Sequence, residues 1–172
     1  MNNSNDSIAA FGRWISTLGL GLLFVIGNIL LPQLCHIVPM GGPRWLPIYF
    51  FTLVGAYCFG WRVGLLTALL SPVLNSLLFG MPALPVLPSI LLKSIVLALA
   101  AAYAAKRSGK VTLLALGGIV LAYQLIGSLG EWGLSGSLQS VLQDFHIGVP
   151  GMLLQIFGGY FVIRQLEKRR QA

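Results

Sequence analysis

The sequence predicts an all-α integral membrane protein with six transmembrane helices and both termini cytoplasmic, and three observations carry that reading. From Leu46 to Ala105 sixty residues run with only two charges, Arg62 and Lys93. Over the whole chain 56% of residues are hydrophobic and 9% charged, against roughly a quarter charged in soluble domains. The basic residues gather at the ends of apolar stretches, where they report orientation. At about 20 residues per crossing, the 172 residues have room for five or six spans in a single membrane domain, residues 1–172. A net charge of +7 could suggest nucleic acid. A nucleic-acid reader needs a basic face on a soluble fold, so that class is excluded and the bilayer is the expected partner.

The apolar windows are about 14–31, 46–60, 63–79, 85–105, 111–129 and 147–163. The first follows MNNSNDS, which lacks the basic start and small-residue cleavage site of a secretory signal, so this span is expected to stay. LPQLCHIVPMGGPR, with three prolines and two glycines, separates it from the second. Gly60-Trp61-Arg62 turns the chain into the third, and FGMPALP leads into the fourth, which holds Lys93. AKRSGK is a basic turn before the fifth. GEWGLSGSLQSVLQDFHIG reads as a polar, partly amphipathic loop before the sixth.

Cytoplasmic loops are enriched in Lys and Arg. With both termini inside, Arg13, Arg62, Lys106, Arg107, Lys110, Arg164, Lys168, Arg169 and Arg170 all fall on that side, nine of the eleven basic residues. Only Arg44 and Lys93 remain. Trp14 and Trp61 then mark the inner interface, Trp45 and Trp132 the outer one.

Under this topology Asn28, Asn75, Lys93, Gln124 and Gln155 lie in the outer halves of their spans. Lys93 sits eight residues from the outer end of its window, ~12 Å at 1.5 Å per residue, and Gln155 lies equally deep. Such a set suggests a polar pocket opening outward, lidded by residues 32–45 and 130–146. Amides in membrane helices also serve as plain interhelical glue, worth about 1 kcal/mol each. A charge in hydrocarbon is costlier and marks a pathway, a ligand or a paired partner. For Lys93 the alternatives are a ligand counter-charge and structural pairing with Glu131 or Asp144.

Gly60, Gly64, Ala68 and Pro72 recur every four residues. Small residues at that interval allow close helix approach, either within the chain or as a docking face for a partner subunit. Catalytic signals are weak. Glu131 and Asp144 stand thirteen residues apart with nothing to place them as an acid/base pair. Cys35 beside His36 is too little for a metal site, and no phosphate-binding Gly-rich loop is present. No catalytic residue, metal or cofactor of its own is expected, and energy for any uphill transport must come from elsewhere.

The stretch LPIYFFTLVGAYCFGWRVGLLTALLSPVLNSLLFGMPALPVLPSILLKS resembles the substrate-binding S component of energy-coupling-factor (ECF) vitamin transporters. The likeness lies in the proline-led second span, the glycine-rich turn into the third, the Ser71-Pro72 break, and Phe79-Gly80-Met81-Pro82 before a proline-punctuated fourth span. It implies a multi-pass protein of the bacterial cytoplasmic membrane that captures a vitamin or precursor from outside. It also implies association with a transmembrane coupling subunit and two cytoplasmic ATPases. The chain departs from the pattern at Tyr49, where histidine is expected, at Lys93-Ser94, where an acidic residue is common, and in lacking the Ala-x-x-x-Ala motif of the first span. The expected substrate site combines aromatic surface from Trp45, Tyr49 and Trp132, hydrogen bonds from Asn28, Asn75, Gln124 and Gln155, and a Lys93 counter-charge that favours a small anionic cargo. A ligand-free scaffold or assembly protein and a small membrane-embedded enzyme are the alternatives.

Overall fold

In hydrocarbon every backbone N–H and C=O must find its partner within the protein, which leaves a chain this apolar with helices. The computed structural model describes residues 3–171, and among the described residues the regular structure is helical throughout. In order these are α1 (Asn3–Cys35), a short α2 (Gly41–Trp45), a 3-10 turn (Pro47–Tyr49), α3 (Phe50–Phe59), α4 (Trp61–Phe79), α5 (Leu87–Ser108), α6 (Leu113–Ser135) and α7 (Leu138–Gln171). Among the described residues five apolar stretches are long enough to cross a bilayer: Trp14–Cys35, Trp61–Phe79, Leu87–Ser108, Leu113–Leu134 and Val141–Arg169. Pro47–Phe59 is apolar but shorter.

The window 46–60 therefore differs from the single helix expected. Its α-helical part is 10 residues, about 15 Å at 1.5 Å per residue, half the hydrocarbon thickness. A helix that short survives because protein surrounds it. Thr52, Leu53, Val54 and Ala56 are buried, and α3 packs against α1, α4, α5 and α7.

The orphan N–H groups at the start of α3 also need partners. Asn28 on α1 supplies one: its Oδ1 accepts from the Phe51 N–H at 3.1 Å, while its Nδ2 donates to Thr52 Oγ1 at 2.9 Å and Ser71 Oγ at 3.2 Å. Asn75 on α4 donates back to the Asn28 carbonyl at 2.9 Å and to the Ser71 carbonyl at 3.0 Å. Its Oδ1 accepts from Gln33 at 3.3 Å. Both amides are buried and knot α1, α3 and α4 together.

The loop expected over residues 130–146 is mostly helix. α6 continues to Ser135, and Gly136, at φ +68, turns the chain at once into α7. The hydropathy windows cover the apolar middle of these helices, whereas the helices themselves run on beyond it.

The ladder on α4 is spent inside the chain. Gly64, Ala68 and Pro72 are buried, and a side chain at Gly64 would collide with Ala56 of α3 and press on Ala98 of α5. Gly60 caps the turn between α3 and α4 at φ +89 with nothing near its missing Cβ. A partner could reach this face only by displacing α3 and α5.

Close approach also fixes the turn before α3. Leu46 adopts a left-handed backbone, φ 48 and ψ 44, a conformation that costs a side-chain-bearing residue about 1–2 kcal/mol. Its side chain is buried against Gly148 of α7, and the Trp45 carbonyl lies where a Cβ of Gly151 would stand.

Gly64→Val is expected to destabilise the detergent-solubilised protein by about 1–3 kcal/mol through overpacking. Gly19→Val, at an α1 position open to its surroundings, is expected to leave the thermal unfolding midpoint nearly unchanged. Equal midpoints for the two variants would contradict the packing described.

Candidate functional site

One end of the bundle carries the polar chemistry. The end of α1, α2, the 3-10 turn, the 80–86 loop, the start of α5, the end of α6 and the start of α7 line a partly open cavity of about 390 Å³. This is toward the small end of ligand pockets, about 300–1,000 Å³. Prolines stiffen its wall from four separate segments: Pro32, Pro43, Pro47 and Pro82. Tyr49 contributes an aromatic wall, and Ser89 and Ile90 of α5 line it one turn before Lys93. The opposite end of the bundle holds the chain turns with Arg62, Lys106, Arg107 and Lys110.

Lys93 is only 4% exposed, and its ammonium is not alone. Nζ donates to Glu131 Oε2 at 2.7 Å and to Asp144 Oδ2 at 2.8 Å. The three residues come from α5, α6 and α7. The α6–α7 hairpin explains the convergence. Glu131 precedes the Gly136 turn by five residues and Asp144 follows it by eight, so the antiparallel helices bring two residues that are distant in sequence to one level. The lysine stem reaches them by lying across Gly127, where any Cβ would collide with Lys93 Cγ.

The triad presents its carboxylates to the cavity. The Lys93 side chain is 5% exposed, Glu131 16% and Asp144 33%. Lys93 takes one oxygen of each carboxylate, and an ionised carboxylate can accept about four hydrogen bonds. The wall thus carries two negative charges and one positive. His36 stands at the rim, its Nδ1 donating to the Pro32 carbonyl at 2.6 Å. Arg44 is outside, 6.0 Å from the Trp45 ring centroid.

Of the residues expected in the site, the structure brings Lys93 and Tyr49 to the cavity. Asn28 and Asn75 are engaged in the architectural knot around α3. Trp45 is partly exposed and flanks the mouth without lining it. Trp132 is 48% exposed and lines a separate, almost wholly apolar cleft between α6 and α7. Gln124 and Gln155 are fully buried, yet neither end of either amide has a hydrogen-bond partner. They lie behind the cavity wall: Tyr49 packs on Tyr123 at 5.2 Å between ring centroids, and Tyr123 lies close to Gln155 without a well-formed hydrogen bond to it. The hydroxyls of Ser94, Tyr123 and Ser128 are orphaned in the same way.

The anion-favouring lysine expected from the sequence is therefore already neutralised within the chain. The case for an anionic cargo rested on an unpaired Lys93 and loses its support here. The sequence offers Glu131 or Asp144 as structural partners for Lys93, and the structure pairs it with both; neither was expected among the substrate-binding residues, because their segment reads as a loop.

A family model for the substrate-specific component of ECF transporters matches residues 15–163. The chain belongs to that family. It is thus a substrate-specific subunit of a multi-pass membrane transporter, and its apolar helices fit that setting. No curated protein and no solved structure matches it. In an S component, the cavity at the polar end is the natural candidate for the substrate site.

Lys93→Met is expected to destabilise the protein by about 3–5 kcal/mol, because it leaves two carboxylates without their shared partner. Replacing Lys93, Glu131 and Asp144 together by Met, Gln and Asn is expected to recover much of that loss in thermal unfolding. Gly127→Ala is expected to destabilise as well, by displacing the lysine stem.

Proposed function

We propose that this S component captures a vitamin or vitamin precursor from outside a bacterial cytoplasmic membrane, holding it in the cavity between the 3-10 turn and α5. The single observation that supports this reading is a partly open cavity of about 390 Å³, walled by prolines and other apolar groups and ended by a partly buried ion triad. A scaffold would be expected to fill that space with side chains. An enzyme would need an acid/base pair, and the two carboxylates here meet through one ammonium rather than each other.

In this reading α3 with its preceding turn is the sixth crossing, which returns both termini to the cytoplasmic side. The basic turns around Arg62 and Lys106–Lys110 then lie inside and the cavity opens outside, in keeping with the preference of Lys and Arg for cytoplasmic loops. Release of cargo would depend on a transmembrane coupling subunit and two ATPases that use ATP.

Native mass spectrometry of the detergent-purified protein is expected to reveal a retained or acquired molecule of vitamin size. Ile90→Trp, which fills the cavity from α5, is expected to abolish that mass while leaving the thermal midpoint within a few degrees. Retention unchanged in Ile90→Trp would place the site elsewhere. A folded protein that neither carries nor takes up any such molecule would return the scaffold to first place.

A further inference from the structure

The chemistry of the cavity wall narrows the cargo, on the footing that this cavity is the capture site. Besides the Tyr49 phenol, four ionisable side chains line it: Lys93, Glu131, Asp144 and, at the rim, His36. Lys93 is the most deeply withdrawn, and both of its short contacts go to the carboxylates. The carboxylates are the more exposed members of the triad, and Lys93 engages only Oε2 of Glu131 and Oδ2 of Asp144. A guest therefore meets acceptors before it meets the ammonium, on a wall with an excess of one negative charge. Such an excess discriminates between guests, because like charge in juxtaposition is penalised and opposite charge rewarded.

We propose that the cavity selects a small organic cation with a largely apolar body, whose charged group is received by Glu131 and Asp144. Lys93 is a positioning residue: it holds the two carboxylates together at one level and lowers the mutual repulsion of an otherwise doubly negative wall. The Tyr49 ring offers a further surface for a cation, since the faces of aromatic rings attract positive charge. The prolines and Ile90 accommodate the uncharged remainder. An anionic guest would have to displace a carboxylate from Lys93 and leave that carboxylate unpaired.

The test uses the full chain in detergent and a small-molecule cell extract divided by ion exchange into cationic, neutral and anionic pools. Each pool is offered to the wild type, and thermal stabilisation and acquired mass are read together. The cationic pool is expected to stabilise the protein and supply the bound mass. Asp144→Asn, at the more exposed carboxylate, is expected to bind from that pool at least tenfold more weakly. A folded Lys93→Met variant is expected to keep its preference for the cationic pool, whereas an anion site would lose its binding. Should that variant fail to fold, the wild-type comparison among pools decides alone. Stabilisation by the anionic or neutral pool in place of the cationic one overturns the charge assignment and leaves the capture reading standing. If no pool stabilises the wild type, the capture reading falls and the cation assignment falls with it.

Discussion

A lysine ammonium in hydrocarbon is a charge without solvent, and the arrangement of α5, α6 and α7 is organised around giving it partners. Removing the ion from water costs several kcal/mol, repaid only by close contacts of good geometry. Lys93 obtains two, at 2.7 and 2.8 Å, from two different helices. The requirement reaches beyond the three charged residues. Gly127 must lack a side chain for the lysine stem to pass, and the α6–α7 turn at Gly136 must be tight enough to set Glu131 and Asp144 at one level. A polar feature of the site is thus also a clamp across three helices.

The buried amides divide into two kinds, and the division separates architecture from the region behind the site. Asn28 and Asn75 spend their hydrogen bonds on one another's helices and on the start of α3, which lets a helix of 10 residues sit within the bundle. Gln124 and Gln155 are equally buried but unsatisfied. An unmade hydrogen bond in a buried site costs about 1–3 kcal/mol per group, a cost the Asn28–Asn75 layer avoids. The layer of Gln124 and Gln155 lies next to Tyr123, which backs the Tyr49 wall of the cavity.

Much of this was legible in the sequence, and the failures share a cause. Apolar windows located the long helices, since hydropathy measures the bilayer that those helices must cross. Lys93 stands out in the sequence because a charge in such a window needs a reason. A hydropathy window ends where polar residues begin rather than where a helix does, so it cuts α6 and α7 short and makes the segment that holds Glu131 and Asp144 look like a loop. Depth alone could not tell Asn28, which faces α3, from Tyr49, which faces the cavity, because facing depends on helix rotation. Nor could spacing show which side of the Gly64–Ala68 ladder was already occupied. The usable signal for the triad was the pair of acids flanking Ser135-Gly136, read as a helical hairpin.

Leu46 and Tyr49 shape the cavity, yet the turn that holds them is seated on Gly148 and Gly151, which do not touch the cavity. The contour of the mouth is therefore inherited from two positions on the far side of the loop. In evolutionary terms, a lineage could retune what this chain admits by altering the seat while every lining residue stays the same. Two homologues with identical linings could then prefer different guests.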